Sequence, residues 1–361
     1  MPKPCVHAQA LALLTDKNEG DFDLADAPPE WAQGLPVSNR PITTRATPPQ
    51  PLTENAARVA RSQSGFGDLE TWLLDTLSRG VATVISEDPN IFKSIAVRLA
   101  DASLRGMSRS FRLLDNLPTD SPDWPERVTA VLAEASLTLG AFRRKGQLPE
   151  NLQRDLESVA GIFPKKEGVL AEGERLRDAW AVLSAVEETV EDQLRQRRTW
   201  LLGAGSGRYA LLLEYAHGGG TDFLPGFAPG TVVEGTLVFY PSAWQQRALV
   251  FGEMTSLPQQ VENLACFEKI EDMAREYAVA LGNQPWISTF PAALRVVPTL
   301  HKDTFLLADS TGKCVPFGNE AAACWSVLAL GGGEPLTVFG EWDGKAFTAL
   351  SALDNERFVI F

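Results

Sequence analysis

Basic residues are the first scarcity: 33 Lys and Arg stand against 46 Asp and Glu in 361 residues, a formal net charge of −13. A field of that sign repels a polyanion, which argues against a chain whose main work is gripping phosphates. Cysteine is scarcer still. Four thiols without regular spacing, Cys5, Cys266, Cys314 and Cys324, exclude a disulfide framework and read as reduced. Three histidines, His7, His217 and His301, leave few partners for a Cys/His nucleophile pair. The sequence holds no nucleophile elbow, H-E-x-x-H helix or paired-carboxylate pattern. Long apolar runs are missing as well: the longest, Ala321 to Gly333, is too short to span a bilayer, and no charged-then-apolar leader opens the chain. A cytoplasmic protein is expected. The 44% hydrophobic content is that of a globular chain with a sizeable core.

What is present falls into four stretches. Residues 1–15 hold Pro4-Cys5-Val6-His7 ahead of a Leu/Ala-rich helix. Residues 16–52 carry seven prolines among polar residues and read as an extended linker. From 53 to 194 the helical period dominates, with stripes such as Leu69, Trp72, Leu73, Leu77, Val84 and Ile91, Ile95, Leu99, Ala102. Asp123 and Glu126 read as an N-cap with its capping-box partner, and Leu176, Trp180, Leu183 and Val190 read as the last helix of a bundle of five or six. From 195 to 361 short β-prone runs (199–202, 209–213, 236–240, 248–251) separated by Gly and Pro predict an antiparallel meander. A helix starting near Phe267 interrupts it, strands resume at Phe305–Ala308, and two hairpins turn at Asp343-Gly344 and near Asp354-Asn355. The fold class is α+β: a half-finger and Pro-rich linker, an all-helical middle domain, and a mostly antiparallel C-terminal sheet with one or two helices.

Cys5 and His7 are the candidate metal ligands, because a thiolate and an imidazole about 6 Å apart on an extended segment can share one Zn²⁺. Two ligands do not close a structural site, which needs four. Pro-Cys-x-His-Ala-x-x-Leu-x-Leu-Leu is similar to the second half of the SWIM zinc finger, C-x-C-x(n)-C-x-H. Trp72-Leu73-Leu74-Asp75, Arg197 to Gly203, Leu237 to Pro241 and Val338 to Gly344 also resemble blocks of bacterial SWIM zinc-finger proteins. The C-x-C half is absent and Met1 falls inside the finger's spacer, so the expectation is either a misassigned start or a shortened member, with only the C-x-H half of the finger in this sequence. The resemblance implies zinc at Cys5 and His7, and company with AAA-type ATPases and von Willebrand-A-domain proteins.

Other candidates have plainer explanations. Gly203-Ala204-Gly205-Ser206-Gly207-Arg208 lacks phosphate-loop spacing and precedes strand residues, so it reads as a hairpin turn. Cys266 and Cys324 read as core thiols. Arg195-x-Arg197-Arg198, Arg143-Arg144-Lys145 and Lys165-Lys166 lie close to acids and read as solvated faces or inter-helix ion pairs. Residues 201–361 carry 9 Lys and Arg against 17 Asp and Glu, the most acidic third of the chain. The leading expectation is a non-enzymatic recognition protein that binds another protein; a nucleic-acid-binding accessory factor comes second and an uncharacterised enzyme third.

Overall fold

Helices, a barrel and a sheet follow one another along the chain. The computed structural model describes residues 56–115, 123–191, 194–217, 223, 226–354 and 357–361, which share one compact unit. The expected half-finger and linker, with Cys5 and His7, lie outside the described residues.

Six helices build the first part: α1 (Ala56–Arg79), α2 (Val81–Glu87), α3 (Ile91–Asp101), α4 (Arg105–Asp115), α5 (Trp124–Arg143) and α6 (Glu150–Val159). Their apolar stripes meet in one core that includes Leu69, Leu73, Ile95, Leu99, Phe111 and Leu132. Trp72 meets Phe111 edge-on at 5.4 Å, and α4 approaches the end of α6 over Gly106, where a Cβ would lie 2.0 Å from the Val159 carbonyl oxygen. Two expectations need correction. Leu77 is 55% exposed rather than part of the stripe. Asp123 precedes α5 without a side-chain cap bond and instead pairs with Arg127 at 2.6 Å, since its αR backbone does not present the carboxylate to the first amides.

The helical part ends with the short α7 (Lys166–Glu172), and the expected helix over 176–190 is a strand. Strands β1 (Glu174–Glu191), β2 (Leu194–Gly203), β3 (Tyr209–His217), β4 (Thr231–Phe239) and β5 (Arg247–Gln260) form a closed barrel, ordered β1-β2-β3-β5-β4. This is not a plain meander. The first half of β1 pairs with β4 and the second with β2, and the barrel closes through a short parallel contact of Leu211 and Leu212 with Arg247 and Ala248. Five strands in that order make a Greek-key barrel of OB type.

The last part is a six-stranded antiparallel sheet, ordered β11-β10-β9-β6-β7-β8. Its strands are β6 (Phe290–His301), β7 (Thr304–Ala308), β8 (Cys314–Pro316), β9 (Leu336–Trp342), β10 (Phe347–Asp354) and β11 (Arg357–Ile360), with helices α8 (Ile270–Asn283) and α9 (Ala321–Gly331). Met273, Leu294, Val327, Val338 and Phe347 share the core beneath the two helices. Phe267 does not open α8; it bridges Leu294 of β6, and the helix begins three residues later, where the Ile270 amide donates to Asp309 at 2.9 Å.

Candidate functional site

The junction of barrel and sheet gathers residues from two of the sequence blocks, Arg197–Gly203 on β2 and Val338–Gly344 on β9. Glu341 is 6% exposed and accepts three hydrogen bonds, two from Arg198 Nη1 at 3.0 Å each and one from Trp200 Nε1 at 2.6 Å. Phe339 packs beside it against Trp200 and stacks on Tyr209 at 5.9 Å. Burial pushes the Tyr209 phenol well up from its ordinary value despite a hydrogen bond with the Ala293 backbone, so it stays neutral.

Two members of the basic run are held by carboxylates, and the third, Arg195, lies over the Phe223 ring at 5.3 Å. Arg197 donates to Glu214 at 2.7 and 2.8 Å and lies 3.8 Å from Glu187; Arg198 reaches Glu188 at 3.3 Å as well as Glu341. Solvated faces or ion pairs between helices are the expectation here, and the pairing runs between strands because Glu187 and Arg197 face each other in the β1–β2 register. Arg177 and Arg208 are likewise paired, with Glu234 and Glu174.

The glycine-rich turn between β2 and β3 is closed by the chain's own carboxylate. Asp178 of β1 accepts the Gly205 amide at 3.0 Å and the Ser206 amide at 2.8 Å, so the donors a phosphate would need are occupied. Burial alone would raise the Asp178 carboxyl, but the Ser206 hydroxyl and the Gly205, Ser206 and Ala179 amides outweigh it and hold it below the ordinary carboxylate range.

Beside that turn lies a cleft of about 670 Å³ lined by Arg208, Tyr209, Trp244, Gln246, Phe267 and Phe290 among others. No Cys, His or Lys lines it; Ser242 and Glu276 do, and Glu174 is engaged by Arg208. Asp155 of α6 sits close by. It is 3% exposed, accepts the Ala243 amide at 2.8 Å and Gln284 Nε2 at 2.9 Å, and so ties the helices to the β4–β5 loop and the end of α8. Burial pushes its carboxyl above the usual range, against hydrogen bonds from Ser242, Ala243 and Gln284.

The remaining candidates do not converge. Cys266 is half-buried ahead of α8, not on it, Cys314 is exposed on β8, and Cys324 is buried on α9. His217 and His301 end β3 and β6. Among the described residues no group of three or more His, Cys, Asp or Glu could hold a metal ion. Also among the described residues, no helix is long and apolar enough to cross a membrane. Sequence reasoning missed Asp155 and Glu341 as junction residues, since a lone acid in a polar or strand context carries no signal of the partners that folding brings to it.

No curated protein and no solved structure matches the chain. Residues 57–160, from α1 through α6, match the SWIM-associated four-helix bundle domain, and that match supports a SWIM-family protein.

Proposed function

We propose that the chain is a non-enzymatic recognition protein of the SWIM zinc-finger class that works in the cytoplasm. Its finger residues Cys5 and His7 contribute two ligands to zinc, and a thiolate with an imidazole is a donor pair suited to that ion. The helical bundle and the acidic α+β part bind a protein partner, and AAA-type ATPases or von Willebrand-A-domain proteins are the partners its sequence resemblance suggests. The observation that carries this reading is the fate of the arginines: Arg177, Arg197, Arg198 and Arg208 on the barrel strands or their turn are each held by a carboxylate, and Arg175, Arg195 and Arg247 lie over the rings of Phe251, Phe223 and Tyr240.

A nucleic-acid reading keeps one observation in its favour, because OB-type barrels bind oligonucleotides on the face that includes β2 and β3. On this barrel Arg197 and Arg198 of β2 are paired with carboxylates and Arg195 lies over the Phe223 ring. The test is fluorescence anisotropy of a labelled 20-nucleotide DNA, single- and double-stranded, titrated with the full chain. Binding weaker than about 100 μM at physiological salt is expected. Micromolar binding that falls steeply with salt would replace protein recognition by nucleic-acid binding.

A further inference from the structure

We infer that the outer face of α9 docks an amphipathic helix of a partner protein, one with an apolar stripe and Lys or Arg at both ends. The inference rests on the protein-recognition reading and names the chemistry of the partner. Helix α9 contains no charged residue, and Cys324, Val327 and Gly331 are its buried side. The opposite side is apolar too: Ala321, Ala322, Trp325 and Ala329 are exposed, with Ser326 as the one polar member. A solvent-facing helix surface ordinarily carries charge.

The apolar surface continues beyond the helix. Trp325 is 52% exposed and meets Phe305 of β7 edge-on at 5.0 Å; Phe305 is paired across the strands with Leu300 of β6, itself 39% exposed. A half-exposed Trp flanked by alanines one turn away on each side suits a helix that approaches closely and buries the indole, the residue type that dominates interface energies.

Charge selects the occupant. Glu320 precedes α9 and Glu334 follows it, both exposed, and neither has an ion-pair partner among the described residues. Glu320 complements the helix dipole, but Glu334 lies past the C-terminal end, where an acid does nothing for the helix. The β6–β7 turn adds Lys302 and Asp303, one charge of each sign. A second copy would bring two acidic ends against two acidic ends and −13 against −13. A helix with basic ends about 20 Å apart, some three to four turns, meets the surface without that repulsion.

The experiment uses a labelled 15-residue peptide of Leu, Ala and Lys, with Leu on one helical face and Lys at both ends, titrated with the full chain by fluorescence anisotropy. Micromolar binding is expected, weakened at least about tenfold by Trp325→Ser and by Ala329→Glu, as for an interface anchor. Glu320→Gln with Glu334→Gln should weaken it several-fold and remove most of its salt dependence. Unaltered melting temperatures establish that the variants are folded. The inference is overturned if the peptide fails to bind, if it binds Trp325→Ser and Ala329→Glu as well as the parent, or if a peptide with Glu in place of Lys binds equally. It is also overturned if sedimentation shows a dimer that Trp325→Ser dissociates, which would make a second copy the occupant. None of these outcomes touches the DNA titration, so this surface can fail while protein recognition stands.

Discussion

Replacing Glu341 by alanine removes the acceptor at the centre of the barrel–sheet junction. Three hydrogen bonds disappear, leaving Arg198, whose side chain is 20% exposed, and the indole N–H of Trp200, which is fully buried. Breaking a buried ion pair from one side costs about 3–5 kcal/mol, and a buried donor without an acceptor costs about 1–3 kcal/mol. Part of this is recovered, because Glu188 stays 3.3 Å from Arg198 Nε and can hold that charge. The expected net loss is about 3–5 kcal/mol, a large share of the stability of an ordinary domain. Glu341→Gln keeps an acceptor for Trp200 and loses only the charge, so about 1–2 kcal/mol is expected. Equilibrium urea unfolding at pH 7, followed by tryptophan fluorescence, measures both. A loss below about 1 kcal/mol for the alanine variant, or equal losses for the two, would refute the account of Glu341 as a buried charge whose partners depend on it.

Further outcomes follow from the same geometry. Burial raises the Asp155 carboxyl, so the stability it contributes is full below the ordinary carboxylate range and falls away as pH rises through its raised value. Urea midpoints should therefore show the parent gaining on Asp155→Asn between pH 7 and pH 4.5; a pH-independent difference counts against it. Gly340→Ala would place a Cβ 2.2 Å from the Thr348 carbonyl oxygen and 2.6 Å from the Phe347 ring, and a loss of at least about 2 kcal/mol in thermal unfolding is expected. Asp178→Ala should cost about 1–2 kcal/mol by stripping the acceptor from the β2–β3 turn, with the same urea assay as the check. Cys5→Ser should lower the zinc retained by the purified chain, measured by metal analysis, and leave the melting temperature of the remainder unchanged, because the described residues offer no metal cluster of their own.

Much of the α+β order was legible, and where it was not the cause is physical. The spacing of Leu176, Trp180 and Leu183 looks helical, yet β1 produces it with a bulge between Val182 and Ser184. Leu176, Trp180 and Val182 serve the barrel interior, and Leu183 serves the core shared with the sheet. β6 carries Pro291 and Pro298, and proline ordinarily demotes a strand from the middle of a sheet. The strand tolerates both because it changes neighbours along its length: residues 290–296 pair with β9 and residues 297–301 with β7. The parallel closure of β3 on β5 joins segments some 36 residues apart, and no local pattern announces it. At the site, the pairing of the basic run was readable from neighbouring acids, but Glu341, 143 residues from Arg198, was not.

The double duty of β1 sets how the chain can be cut. A fragment beginning at residue 195, where the sequence pattern suggests a boundary, would leave β2 and β4 each with a bare edge where β1 had paired. Exposed edges of that length template pairing with other chains, so such a fragment should aggregate, whereas one beginning ahead of α7 keeps the strand and its two cores together. For anyone mapping partners with truncations, a cut before residue 166 spares β1 but removes Asp155, the acceptor for Ala243 and Gln284, so a negative result from either piece would report on lost structure as well as on binding.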